Sequence, residues 1–303
     1  MRLVMIENGT GHVAGVQLAS GDVAPISVLL GEGAPATVAD VIRQGPTLLD
    51  TLAKAVLEVK ASALVPGKKV RFGAPLGERE LVVCAGANYR SHIEEMGDEM
   101  PEKAAWFVKN SRSVVGPGTP IRLPAEFPDH VDYEGELCVV IGRPCHAVRA
   151  EDAWDYIAGY TLLNDVSARD AFPGLARAST PLEGRWAWTD MLLGKQFPTF
   201  GPIGPAVVTA DEIPDPGSLR LTTKVNDVTV QDAPVSDLAV AIPELIEQFS
   251  RYFPFEPGDV ISTGTPAGVG AGMRPPVYLR SGDVVTVAVD EIGELTNSVH
   301  SGE

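Results

Sequence analysis

The strongest constraint on this chain lies in residues 131–142, VDYEGELCVVIG, read together with 162–170, LLNDVSARD. The first segment sets Glu134 and Glu136 two residues apart and runs straight into apolar 137–141. Alternate residues of a strand share a face, so both carboxylates point the same way just as the strand becomes buried. Like charges side by side repel, and burying them without a partner is costly. A bound cation relieves both penalties. Asp165, at the end of the apolar run 156–163, can supply a third oxygen. Three carboxylates without Cys or His partners suit a hard cation such as Mg²⁺ or Mn²⁺. The spacing alone is weak, because most E-x-E pairs are solvated edge residues, so the rest of the chain has to decide.

With 303 residues, 45% of them hydrophobic and 21% charged, there is material for two domains, or for one large domain with a small appendage. The net charge of −16, with no Lys/Arg cluster to offset it, argues against a nucleic-acid binder. The opening MRLVMIENGTGHV has neither the charged region nor the continuous apolar core of a signal peptide, and no apolar run is long enough for a membrane span. Cys84, Cys138 and Cys145 are an odd count without metal-type spacing, and Cys84 and Cys138, in apolar strand-like runs, read as buried, reduced thiols. The expectation is a cytoplasmic protein.

Residues 1–70 read as a small α/β unit. Short strands at 3–6, 13–18 and 22–27 precede helices at 37–43 and 48–60, with Thr37 and Thr47 as N-caps. A Pro/Gly stretch at 65–68 marks a boundary, and residues 75–303 form a second, strand-rich part. There, 79–85 is a strand ending at Gly86, and 89–96 a short helix that places His92 and Glu95 three apart on one face. A helix at 150–155 leads into the strand carrying Asp165. Residues 171–200 look aperiodic, a long loop of the kind that is usually functional or disordered. Strands at 206–209, 219–225 and 228–231, an amphipathic helix at 243–251 and strands at 259–262 and 283–289 complete the chain.

The succession CAGANYRSHIEE, FVKN, VDYEGELCVVIG, LLNDVSARD, GKQF, FGPIGP, VND and ISTGTPAGVG resembles the fumarylacetoacetate hydrolase family, in family order over about 75–300. The resemblance implies an α+β, β-rich fold, a mixed β-roll with a small N-terminal α/β domain, a divalent metal (Mg²⁺ or Mn²⁺) and a homodimer. It also implies chemistry on small 2-oxo acids or 1,3-dicarbonyl compounds, as in the catabolism of aromatic compounds. Position by position, Glu134, Glu136 and Asp165 match the metal ligands. His92 with Glu95 matches a dyad that activates water, and Lys195 matches a lysine near metal and substrate. Thr265 matches a residue that holds the substrate carboxylate. Tyr89 and Lys109 match pocket positions more loosely, and Arg169 reads equally as scaffolding against Asp165 or Asp170. The chain departs from the family where a glutamine often contacts substrate: Ala171 and Phe172 stand there, which implies one donor fewer and room for a bulkier apolar tail.

The main expectation is hydrolysis of a C–C bond in an acylpyruvate-like compound, with His92 as base, Glu95 stabilising its imidazolium and Lys195 donating to the oxyanion. The alternatives use the same enolate chemistry: isomerisation of the hydroxymuconate type, keto–enol interconversion, or decarboxylation of an oxaloacetate-like acid. A catalytically silent metal-binding protein is the remaining reading.

Overall fold

The computed structural model describes residues 1–9, 11–171 and 178–302. Gly135–Ile141 is buried along its whole length, as its apolar run requires, and lies near the middle of an eleven-stranded mixed sheet. Ile157–Asn164 and Val260–Ser262 flank it, both antiparallel to it. Outward from the former come Gly201–Thr209, Arg2–Glu7, His12–Gln17 and Val23–Pro25. On the other side Val260–Ser262 runs parallel to Val82–Gly86, which pairs with Ala105–Lys109. Because Arg2–Glu7 pairs with Gly201–Thr209, residues from 1–70 and from 75–303 share this sheet.

Both faces of the sheet are covered, so its central strands are apolar on both sides. On one face Leu137, Val139 and Ile141 pack with Leu221, Val287 and Leu295 of a five-stranded second sheet. Helix Ile242–Ser250 closes that side. Ile242, Leu245, Ile246 and Phe249 recur at helical spacing and are all buried. On the other face Cys138, Val140 and Leu163 meet Val38, Val41 and Ile42 of helix Val38–Arg43 and Leu52 of helix Pro46–Glu58. Emptying one such site, for example Ile246→Ala, removes packing worth about 2–5 kcal/mol.

Several local expectations change. Thr37 caps its helix by accepting from Asp40 N at 3.1 Å, but Thr47 caps nothing. Gly45 is the N-cap of the next helix and Pro46 opens it, a position where the missing N–H costs nothing. The strand expected at 22–27 stops at Pro25, and Ile26–Leu30 is helical. Ala150–Tyr156 is a 3₁₀ helix.

The largest correction falls in 171–200, where Pro181–Leu193 is an α-helix. It begins with a capping box: Thr180 accepts from Glu183 N, and the Glu183 carboxylate accepts from Thr180 N. The periodic signal is absent because Leu182, Trp186, Trp188 and Leu193 are all exposed and only Ala187 is buried. Among the described residues no helix is long and apolar enough to cross a membrane.

Candidate active site

The carboxylate centre forms where the central strand leaves the sheet. Strand pairing begins at Gly135, one residue later than the E-x-E spacing suggests, with Gly135 opposite Asn164 and Glu136 opposite Leu163. The ladder is prolonged by one bond, from Asp165 N to Glu134 O at 2.8 Å, so Glu134 and Asp165 face each other. A Cβ on residue 135 would lie 2.1 Å from Thr223 Oγ1, so the close approach of the second sheet requires glycine between the two glutamates. Glu134, Glu136 and Asp165 are buried, with one oxygen of each within 4.8 Å of the others.

Two lysines and an arginine meet these charges. Lys195 Nζ donates to Glu134 Oε2 at 2.7 Å, Asp165 Oδ2 at 2.6 Å and Ser167 Oγ at 2.8 Å. Lys109 Nζ donates to the carbonyls of Lys195 and Phe200, at 2.7 and 2.9 Å. It also lies 2.5 Å from Asp165 Oδ1, a charge contact without hydrogen-bond alignment. Arg169 donates from Nη2 to Glu134 Oε1 at 2.6 Å and from Nε to Asp132 Oδ2 at 2.9 Å. Burial opposes ionisation of Glu134, but Lys195, Arg169 and, least, His92 hold its carboxyl at about 2. Glu136 goes the other way. Burial, then the charges of Asp165 and Glu134, push it well above the carboxylate range against a hydrogen bond from Ser262.

This is the observation that bears on a metal. Asp132, Glu134, Glu136 and Asp165 face Lys109, Arg169 and Lys195, and Glu136 is the carboxylate with no cation in contact among the described residues. An uncompensated buried carboxylate beside two others, without Cys or His donors, fits a hard divalent cation.

Helix Arg90–Met96 carries the second half of the site. His92 Nδ1 lies 3.0 Å from Glu95 Oε2, the i, i+3 contact expected from the sequence. The other Glu95 oxygen accepts from Gly268 N at 2.9 Å, and Ala267 N reaches Ser91 Oγ at 3.4 Å. The TGTPAGVG segment therefore supports the dyad from outside its own helix.

Of the sequence candidates, Glu134, Glu136, Asp165, Lys195 and Lys109 come together, and His92–Glu95 stands within electrostatic reach of Glu134. Thr265 is buried behind Gly135, donating to Gly135 O at 3.0 Å and accepting from Gln231 at 2.8 Å. Tyr89 is fully buried in the main hydrophobic cluster. Phe172 lies outside the described residues. Arg169 pairs with Asp132 and Glu134 rather than with Asp165 or Asp170.

Sequence reasoning missed Asp132, Gln231 and Ser262. Asp132 had a signal, because Asp132, Glu134 and Glu136 alternate. Gln231, which accepts from Gly135 N at 3.0 Å and donates to Pro266 O at 2.8 Å, had none. Ser262 stands in register between Cys84 and Cys138 on adjacent strands, and both thiols are buried.

Residues 81–300 match the family model described as fumarylacetoacetate (FAA) hydrolase C-terminal. The chain is 37% identical over 265 residues to the mitochondrial oxaloacetate tautomerase Fahd2a of Rattus norvegicus, covering 88% of this chain and 80% of that protein. Among solved structures, maleylpyruvate hydrolase from Sphingobium sp. SYK-6, in complex with manganese(II) and pyruvate, superposes with a TM-score of 0.80 at 28% identity over 100% of both chains. 5-Carboxymethyl-2-hydroxymuconate delta-isomerase from Mycobacterium smegmatis does so at 0.73 and 33%, again over 100% of both. With its motifs in order, its mixed sheets and its buried acidic triad, the chain belongs to the fumarylacetoacetate hydrolase family of enzymes.

Proposed function

We propose that this protein interconverts the keto and enol forms of a small 2-oxo acid of the oxaloacetate type. This moves the leading reading from C–C hydrolysis to what the sequence offered as an alternative. Its support is the 37% identity to an oxaloacetate tautomerase over most of both chains, together with one geometric observation. That observation is an imidazole whose Nδ1 is tied to Glu95, at the edge of a carboxylate centre.

When Nδ1–H donates to Glu95, the lone pair of His92 sits on Nε2, the nitrogen free to work on substrate. Nε2 takes a proton from the carbon next to the ketone, and Glu95 stabilises the resulting imidazolium. Returning that proton to oxygen gives the enol, so no bond between heavy atoms breaks. Glu134, Glu136 and Asp165 would hold Mg²⁺ or Mn²⁺, which when bound polarises the 2-oxo acid toward its enol. Lys195 donates to both Glu134 and Asp165 and helps hold the Glu134 carboxyl low, and Thr265 would orient the substrate carboxylate by exchanging its bond to Gly135 O for one to substrate. The chemistry belongs to 75–303, and a cytoplasmic setting fits three unpaired, buried cysteines. C–C hydrolysis is the second reading, favoured by the full-length likeness to maleylpyruvate hydrolase.

The test is to add oxaloacetate enol to metal-stripped protein, then Mg²⁺ or Mn²⁺, following ultraviolet absorbance and identifying products by NMR. Metal-dependent acceleration of enol loss with the carbon skeleton intact is the expected result. Acetate and pyruvate formed from acetylpyruvate, with no acceleration on oxaloacetate, would replace this reading with the hydrolase.

A further inference from the structure

We propose that Asp132 is a positioning residue that sets the His92–Glu95 pair against the Glu134 end of the carboxylate centre. The inference rests on reading the site as an acid–base centre. Asp132 is fully buried and touches neither the dyad nor the other two strand carboxylates. Its Oδ1 accepts from Tyr133 N at 2.9 Å and Gly270 N at 2.7 Å. Its Oδ2 accepts from Ala271 N at 3.0 Å and Arg169 Nε at 2.9 Å. Arg169 passes on to Glu134, and two residues before Gly270 the Gly268 amide holds Glu95. A continuous run of hydrogen bonds and short backbone therefore leads from Glu134 through Arg169, Asp132 and 268–271 to Glu95 and His92.

Three features make this run stiff. Its bonds involve carboxylate acceptors, which are shorter and stronger than neutral ones. Tyr133 Oη braces the loop by donating to Gly268 O at 3.1 Å. A Cβ at residue 270 would lie 1.9 Å from Val277 O and 2.7 Å from Asp132 Oδ1, so the loop reaches the carboxylate only as glycine. The chemistry also selects aspartate. Asp132 receives only donors, so the amide of an asparagine would turn its NH₂ toward a backbone N–H or the guanidinium.

Residue-resolved hydrogen exchange on Mg²⁺-loaded wild type and Asp132→Asn tests the link, joined to a kinetic cycle with Glu95→Gln on oxaloacetate enol. The amides of Gly268, Gly270 and Ala271 should exchange at least about tenfold faster in the variant. Its kcat should fall about 10- to 100-fold with little change in KM. On the Glu95→Gln background Asp132→Asn should cost less than about twofold, since both substitutions cut one coupling. Wild-type protection retained at Gly268 overturns the proposal, and so do fully multiplicative losses in the cycle. If the wild type leaves oxaloacetate untouched, the reaction reading fails and exchange at Gly268 alone decides the positioning. Should Asp132→Asn not fold, Ala271→Pro deletes one loop donor and leaves the Asp132–Arg169 pair. Faster exchange at Gly268 then supports the proposal, and unchanged protection sinks it.

Discussion

The two sides of the site are held by different forces. The carboxylate side is a buried lattice of charge, in which Lys109, Arg169 and Lys195 neutralise most of what Asp132, Glu134, Glu136 and Asp165 bring. The dyad side has one partly buried hydrogen bond between His92 and Glu95, fixed largely by backbone amides and small-residue turns. Charge in a low dielectric is strong but unforgiving, since removing one partner strands the other. Amide contacts are individually worth about 0.5–1.5 kcal/mol and tolerate more change. The first side suits holding an ion, the second suits a group that must gain and lose a proton.

The comparison breaks most visibly at Lys195. Lys195→Met leaves Glu134 and Asp165 short of a buried partner, and metal-free stability should drop by about 3–5 kcal/mol. Thermal unfolding with and without Mn²⁺ should show a larger rise on metal addition than in wild type. An unchanged metal-free midpoint would mean the lattice is not what holds this side.

His92→Ala should do the opposite, leaving the unfolding midpoint nearly still while kcat falls about 10²- to 10⁴-fold. Steady-state kinetics beside a Mn²⁺ titration separates the two: full activity with intact metal binding removes His92 from the chemistry.

Gln231→Leu lies between the sides. It strands the buried Gly135 N–H and costs about 1–3 kcal/mol, which urea titration would detect. A smaller loss would mean water or a neighbour replaces the side chain.

Thr180→Ala should have the least effect. It removes an N-cap worth about 1 kcal/mol at the end of Pro181–Leu193 remote from Lys195. Local exchange should quicken over 181–184 at unchanged kcat, and a fall in kcat would show that fraying reaches Lys195.

The same contrast explains what the sequence disclosed. The charged side was partly legible because alternation is a property of adjacent residues: Glu134 and Glu136 share a face by spacing, while their reading as cation ligands came from the family resemblance. Lys195 was legible only through family resemblance, since nothing in GKQF says that the chain returns to Asp165 across 30 residues. The dyad could be read from i, i+3 spacing, but not the Gly268 amide that holds it from 173 residues away. Helix Pro181–Leu193 escaped notice because most of its large apolar residues face solvent, which removes the periodicity a buried face would impose. Its start was nonetheless spelled out by Thr180, Pro181 and Glu183.

The row of Cys84, Ser262 and Cys138 has a bearing on oxidative damage. Burial raises both thiols well above their ordinary range, and the nearby charges of Asp165 and Glu136 add to this against a hydrogen bond to Ser262 at Cys138 and the charge of Lys109 at Cys84. Peroxide and alkylating agents attack the thiolate, the form this setting suppresses. The acidic residues that would gather a cation thus also act as an electrostatic guard on the sulfur beside them. Iodoacetamide or brief peroxide exposure should therefore leave the native protein unmodified at both positions, and label them once it unfolds.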